Sequence, residues 1–205
     1  MNADMSEKSA LRAELLGARR LLSTKDVTET AAVLARHALR LPELADAGTI
    51  AAYVSVGREP GTRALLDALL SRGVRVLLPV LLGDNDLDWG VYRGADHLER
   101  AGRGLLEPDG ERLGPEAVLT ADAVLLPGLA VDARGMRLGR GGGSYDRVLA
   151  RLAAAGADPA LVVLLHANEV VEQVPVEPHD HPVHAVVTPD GVTRFTARRS
   201  REERG

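Results

Sequence analysis

Cysteine is absent from this chain. That excludes disulfides, zinc–thiolate sites and cysteine nucleophiles outright. The gap fits a reducing, cytoplasmic setting. Aromatic residues make up only 2%, too few for the stacking platforms that bind RNA or single-stranded DNA. Net charge is −4, so the strong basic field of non-specific nucleic-acid binding is lacking. No apolar run is long enough to span a bilayer. The first residues lack the apolar core of a signal peptide. Lysine is nearly missing too: Lys8 and Lys25 are the only two, and arginine supplies the other positive charges. Genome base composition explains that bias as readily as any binding role.

What is present describes a folded domain. Over 205 residues, 45% are hydrophobic and 26% charged, proportions that bury a core without staples. Residues 6–22 read as an amphipathic helix capped by Ser6, with Leu11, Leu15 and Leu22 at helical spacing. A second helix is expected over 25–41, stopped by Pro42. The period then shortens. Strands are expected at 48–56, 74–82, 87–92, 121–132, 160–166 and 184–188. Helices are expected over 61–73, ended by Gly73, and over 144–156, while 93–118 is loop-rich. Nearly continuous apolar strands alternating with helices imply one α/β domain, a three-layer α/β/α sandwich around a mostly parallel open sheet. Its parts are N-terminal helices over 6–41, a core over 48–190 and a charged tail over 194–205. Ligands are expected at the carboxyl ends of the strands.

The stretch RLGRGGGSYDR (137–147) follows a strand and opens a helix. Glycines there admit close approach of backbone N–H groups to phosphate oxygens, and a helix N-terminus adds partial positive charge. Arg137 and Arg140 add charged planar donors. It matches neither the Walker loop nor the G-x-G-x-x-G fingerprint. On these residues alone it is a phosphate cradle or a bare surface loop. Asp146 is first-turn trim on a helix, or a metal ligand if a second acid or a phosphate stands near. Glu59, in SVGREPGTR (55–63), faces a ligand or merely decorates the next helix, with Thr62 as its cap. Lys8 and Arg12 share one helix face, ordinarily a solvated one. His179, His181 and His184 suggest zinc, but Pro178 and Pro182 break the helix that would align them. Asp180 is the more promising member of that cluster, as a partner for Asp146.

Four segments together resemble the 5-formyltetrahydrofolate cyclo-ligase family, also called 5,10-methenyltetrahydrofolate synthetases. They are KSALR (8–12), GREPGT (57–62), LLPGLAVDARGMRLGRGGGSYDR (125–147) and QVPVEPHD (173–180). The third is the most specific: P-G-x-x-x-D followed by R-L-G-x-G-x-G-x-Y-D. The resemblance runs from Lys8 to Thr188. It implies ATP- and Mg2+-dependent cyclisation of 5-formyltetrahydrofolate to 5,10-methenyltetrahydrofolate, releasing ADP and phosphate. It implies a fold similar to sugar-phosphate isomerases and CoA transferases. Its partners would be 5-formyltetrahydrofolate and MgATP, with no nucleic acid, membrane or obligate protein partner.

Carried over by position, the resemblance makes Lys8, Arg12, Arg137, Leu138, Gly139, Arg140, Gly141, Gly142, Gly143, Ser144 and Tyr145 the ATP contacts. Arg140 would meet the transferring phosphoryl group. Glu59 would bind the pterin, with Val54 and Tyr145 lining its pocket. Asp146 and Asp180 would hold magnesium. The chain departs from the family pattern at three places. Pro60-Gly61 stands where V-[DN] is usual, Ser144 stands for a tyrosine, and Gly142 stands where some members carry lysine. Two rival readings fit the same kind of sheet: a sugar-phosphate isomerase and a non-catalytic folate- or nucleotide-binding domain.

Overall fold

The computed structural model describes residues 2–178 and 180–195, with side chains from residue 7 onward. The chain opens with helix α1 (Asn2–Leu21). Ser6 lies inside it and not at its cap, because the helix continues for another turn ahead of the expected start. Helix α2 (Thr24–Ala38) begins at a capping box in which Ser23 and Asp26 each accept the other's backbone N–H. Pro42 does not stop that helix. It opens a short one, α3 (Pro42–Ala45), where its missing N–H costs nothing.

Strand β1 (Thr49–Ala51), helix α4 (Arg63–Ser71) and strand β2 (Arg75–Leu81) form the expected strand–helix–strand unit. Gly73 ends its helix side at a φ of 78°. Thr62 occupies the N-cap position without capping, because its Oγ1 accepts the N–H of Ser55 instead. Strand β3 (Leu87–Val91) runs antiparallel to β2, as its less apolar sequence suggests. The loop-rich stretch holds a small hairpin, β4 (Leu98–Arg100) with β5 (Leu106–Pro108).

The expected strand over 121–132 is broken in two. Strand β6 (Ala123–Leu126) stays in the main sheet. After Pro127-Gly128 the chain leaves it, and β7 (Ala130–Val131) pairs with β8 (Arg137–Leu138). Proline lacks the ladder N–H, so the strand ends there. Helix α5 (Ser144–Ala154) follows the glycine loop, then strands β9 (Ala160–Leu164) and β10 (Ala185–Thr188). A further strand, β11 (Gly191–Arg194), pairs antiparallel with β10 and carries the sheet past the expected core boundary. The tail over 194–205 otherwise lies outside the described residues from 196 onward.

The main sheet has the order β11-β10-β9-β6-β1-β2-β3. The five central strands are parallel and the two edge strands antiparallel. One face packs on α2 and α4 through Leu34, Leu65, Leu69 and Leu78. The other packs on α5 through Val124, Val148, Leu152 and Val163. This is the expected α/β architecture, and it leaves the carboxyl ends of β1, β2, β6 and β9 at one rim.

Candidate functional site

Chain turns at that rim enclose a cavity of about 300 Å³. Its walls come from four strand ends: Tyr53, Val54 and Glu59 after β1, Pro79 and Leu81 on β2, Leu87 at the start of β3, and Pro127 and Gly128 after β6. The glycine loop from Gly139 to Asp146 closes one side. Arg103, Leu105 and Leu106 of the β4–β5 hairpin close another. A narrower cleft lies behind the loop, lined by Lys8, Arg12, Arg137, Leu138, Gly139, Gly141, Asp146, Glu177 and Asp180. Arg137, Gly139, Gly141 and Asp146 border both spaces.

The glycine loop is launched by the β7–β8 hairpin, whose turn is tied to one carboxylate. Asp132 is buried and accepts the N–H groups of Arg134, Met136 and Val174 and the guanidinium of Arg134. Burial alone would push its carboxyl up, but these donors outweigh that and hold it below the ordinary 3.8. Gly141 and Gly143 adopt φ of 89° and 77°, left-handed conformations that strain any residue with a Cβ. A Cβ on Gly141 would also lie 3.3 Å from the Arg12 guanidinium carbon. Leu138 packs in a small core with Leu15, Leu129 and Val174, so its side chain is structural and leaves only backbone for a ligand.

Helix α1 brings its residues across from the other end of the sequence. Arg12 Nε donates to the Gly139 carbonyl at 2.9 Å. Lys8 is 5% exposed and donates to Glu177 at 2.6 Å and Asp180 at 2.7 Å. Burial opposes its charge, yet the two carboxylates win and raise its pKa above 10.5. Lower on the same helix, Arg19 is buried against Glu169 at 2.6 and 2.9 Å and donates to the Gly128 carbonyl at 2.6 Å. That buried pair seats α1 against the ends of β6 and β9.

Glu59 sits in a loop held at both ends. Its Oε2 accepts the Val56 N–H at 2.8 Å. The Thr62 N–H donates to Ser55 Oγ at 3.1 Å. His166 Nε2 hydrogen-bonds the Arg58 carbonyl at 2.9 Å, tying the loop to the end of β9. Gly61 is required here because a Cβ would lie 2.6 Å from that of Ala31 on α2. The remaining Glu59 oxygen, Oε1, meets Arg140 Nε at 3.2 Å across the cavity. The half-exposed Arg140 is therefore paired with the acid expected to bind substrate.

Among the described residues, two buried polar atoms of the cavity lining have no partner: Tyr145 Oη and Arg137 Nε. A buried donor left unpaired costs roughly 1–3 kcal/mol, so both invite a ligand. Burial and the charge of Glu59 raise the Tyr145 pKa, so the phenol stays protonated. Arg137 Nη1 donates to the Pro127 carbonyl at 2.9 Å, and Nη2 reaches Asp146 at 3.4 Å. Gly142 and Ser144 complete the loop, and Ser144 begins α5 without making a capping bond.

All the expected contact residues thus gather around two adjoining spaces. Glu177 and Tyr53 belong there as well but were not singled out from sequence. Glu177 stands three positions before Asp180, and its N–H donates to Asp180 Oδ2 at 2.7 Å. Asp146 and Asp180 border one cleft and offer hard oxygen donors, which suits magnesium when phosphate oxygens complete the shell. Among the described residues no cluster of three metal-ligating side chains exists. His184 accepts the Leu161 N–H through Nδ1 at 2.9 Å, and His179 lies outside the described residues. No helix among the described residues is long and apolar enough to cross a membrane.

Comparison with known proteins yields one consistent group. Residues 4–189 match the model of the 5-formyltetrahydrofolate cyclo-ligase family. A 5-formyltetrahydrofolate cyclo-ligase of Mycolicibacterium smegmatis is 43% identical over 190 residues, covering 89% of this chain and 93% of that protein. The protein of that name from Escherichia coli K12 is 32% identical over 176 residues, covering 85% and 96%. The solved structure of Aquifex aeolicus 5,10-methenyltetrahydrofolate synthetase superposes with a TM-score of 0.78 at 29% identity, covering 94% of this chain and 95% of that one.

Proposed function

This chain belongs to the 5-formyltetrahydrofolate cyclo-ligase family, and from that premise we propose how its two adjoining spaces divide the work. It is an enzyme of ATP-dependent cyclisation, converting 5-formyltetrahydrofolate to 5,10-methenyltetrahydrofolate. The cavity takes the folate and the cleft takes the nucleotide's phosphates. The observation that carries this division is the glycine loop, which borders both.

A formamide oxygen is a poor leaving group. In the proposed sequence that oxygen attacks the γ-phosphorus of ATP and ADP departs. The second folate nitrogen then attacks the activated carbon, loses its proton, and the oxygen leaves with the phosphate. Such chemistry needs positioning and charge neutralisation more than a covalent nucleophile. Lys8, Arg12 and the backbone N–H groups of Gly139 to Gly143 hold the phosphates. Arg140 leaves Glu59 and meets the phosphoryl group in transit. Glu59, freed by that move, accepts hydrogen bonds from the donor edge of the pterin. Tyr145 and Val54 line the ring's seat, and Tyr145 Oη finds its acceptor on the substrate.

Asp146 and Asp180 would hold magnesium, which when bound neutralises phosphate charge. Lys8 now bonds Asp180, so that carboxylate would share itself between the amine and the ion.

The test is direct. The purified protein, 5-formyltetrahydrofolate and MgATP are expected to yield the methenyl product, followed by its ultraviolet absorbance, with ADP in equal amount. Absence of product above a protein-free control, across a range of pH, refutes the reading.

A further inference from the structure

The cavity lies across consecutive strands, and its chemistry changes along them. The phosphate loop stands beyond β6, the acid Glu59 beyond β1, and apolar Pro79 and Leu81 on β2. Beyond them comes the β2–β3 turn, and there Arg103 reaches over from the β4–β5 hairpin, its Nη1 donating to Asn85 Oδ1 at 3.2 Å. Neighbouring strands stand about 4.8 Å apart, so Arg103 and the phosphate loop take opposite ends of the row.

Arg103 differs from the other arginines of the cavity. Arg137 reaches Asp146 and Arg140 reaches Glu59. Among the described residues, Arg103 has no carboxylate partner. The acids flanking Asn85 are engaged elsewhere, Asp84 with Arg147 and Asp86 with Arg151. Arg103 also holds a φ of 59°, and Asn85, its partner, one of 67°. An arginine gains nothing intrinsic from that conformation. At that bend Arg103 lines the cavity with a guanidinium that is held by Asn85 and has no charged partner among the described residues.

Building on the cyclo-ligase reading, we propose that Arg103 binds the glutamate carboxylates of the folate substrate and sets the preference for them. The substrate's own order is the argument. Its pterin offers a donor edge, its benzoyl ring is apolar and its tail is anionic. The cavity offers an acid, an apolar wall and a cation without a carboxylate partner among the described residues, in that order. With the pterin on Glu59 and the formyl oxygen toward the glycine loop, the tail runs along β2 to Arg103.

Steady-state kinetics with two substrates tests this. One is 5-formyltetrahydrofolate, and the other is its diamide, in which both glutamate carboxyl groups are neutral. For the wild type, KM is expected to be about tenfold lower for the acid than for the diamide, the scale of one charge-assisted contact. Arg103→Ala is expected to abolish that difference by raising KM for the acid alone, leaving kcat and the KM for ATP unchanged. Arg103→Lys is expected to restore part of it. A wild type that does not discriminate overturns the inference. So does an Arg103→Ala protein that still discriminates, or that loses both substrates equally. Each of those outcomes leaves cyclo-ligase activity standing. A wild type that turns over neither substrate overturns the cyclo-ligase reading, and this inference with it.

Discussion

Arg140 and Glu59 form a pair that substrate parts in the proposed mechanism. The arginine is half exposed, and ion pairs of that kind contribute only about 0–1 kcal/mol, so separation is cheap. The two residues are nonetheless expected to fail differently. On the proposed mechanism Arg140→Ala would remove charge neutralisation in the transition state and is expected to lower kcat about a hundredfold or more, with little change in KM for folate. Glu59→Gln would remove the charged acceptor proposed for the pterin and is expected to raise that KM about tenfold or more. Steady-state kinetics of the two proteins checks the split, and an Arg140→Ala enzyme with normal kcat removes that residue from the mechanism. Ser144, which stands for a tyrosine in the family pattern, makes no side-chain bond among the described residues that accounts for the change.

The turn of the β7–β8 hairpin, over 132–136, shows how a segment serves the site from outside its two spaces. Asp132 gathers three backbone N–H groups and a guanidinium, and so fixes the turn from which the glycine loop starts. Asp132→Ala would leave those donors unpaired and is expected to cost about 3 kcal/mol of stability by urea denaturation. The pH dependence follows from a folded-state pKa below 3.8. The carboxylate's contribution is fully present above the unfolded value and is lost as pH falls through the folded one. The stability gap between wild type and Asp132→Asn is therefore expected to stay level at neutral pH and to close below 3.8. A gap that closes near neutrality would mean another group is responsible.

That element also marks where sequence reading stopped. Apolar runs located the central strands, and the motif residues located the loop. The break after Leu126 went unread because apolar residues continue on both sides of Pro127-Gly128, and two-residue strands carry no periodicity to detect. The short hairpin at 98–108 hid for the same reason. The pairing of Arg140 with Glu59 is a meeting of residues 81 positions apart, which local pattern does not encode. The close approach that demands Gly61 is likewise visible only once α2 is packed.

On the scale of the molecule, the site belongs to no single segment. Lys8 and Arg12 come from the first helix, Glu59 from the end of β1, the glycine loop from the middle of the chain and Asp180 from near its end. Such a site exists only when the whole sheet is assembled. Turnover and structure are therefore expected to be lost together in urea, as one cooperative transition. The single tryptophan, Trp89, is fully buried on β3, next to the cavity wall, and reports unfolding by fluorescence. Activity that disappears at clearly lower urea than the Trp89 signal would show that the rim opens ahead of the core.

The scarcity of lysine has a practical consequence. Only two side-chain amines exist, and they differ sharply. Lys25 stands in solvent with 81% of its side chain exposed, whereas Lys8 is buried between two carboxylates that keep it protonated. Acylating reagents attack the neutral, accessible amine, so a succinimidyl ester is expected to spare Lys8 and to modify Lys25 along with the chain's α-amino group. A dye, a spin label or a bead attached by ordinary amine chemistry is therefore expected to leave the cleft lined by Lys8 unmodified.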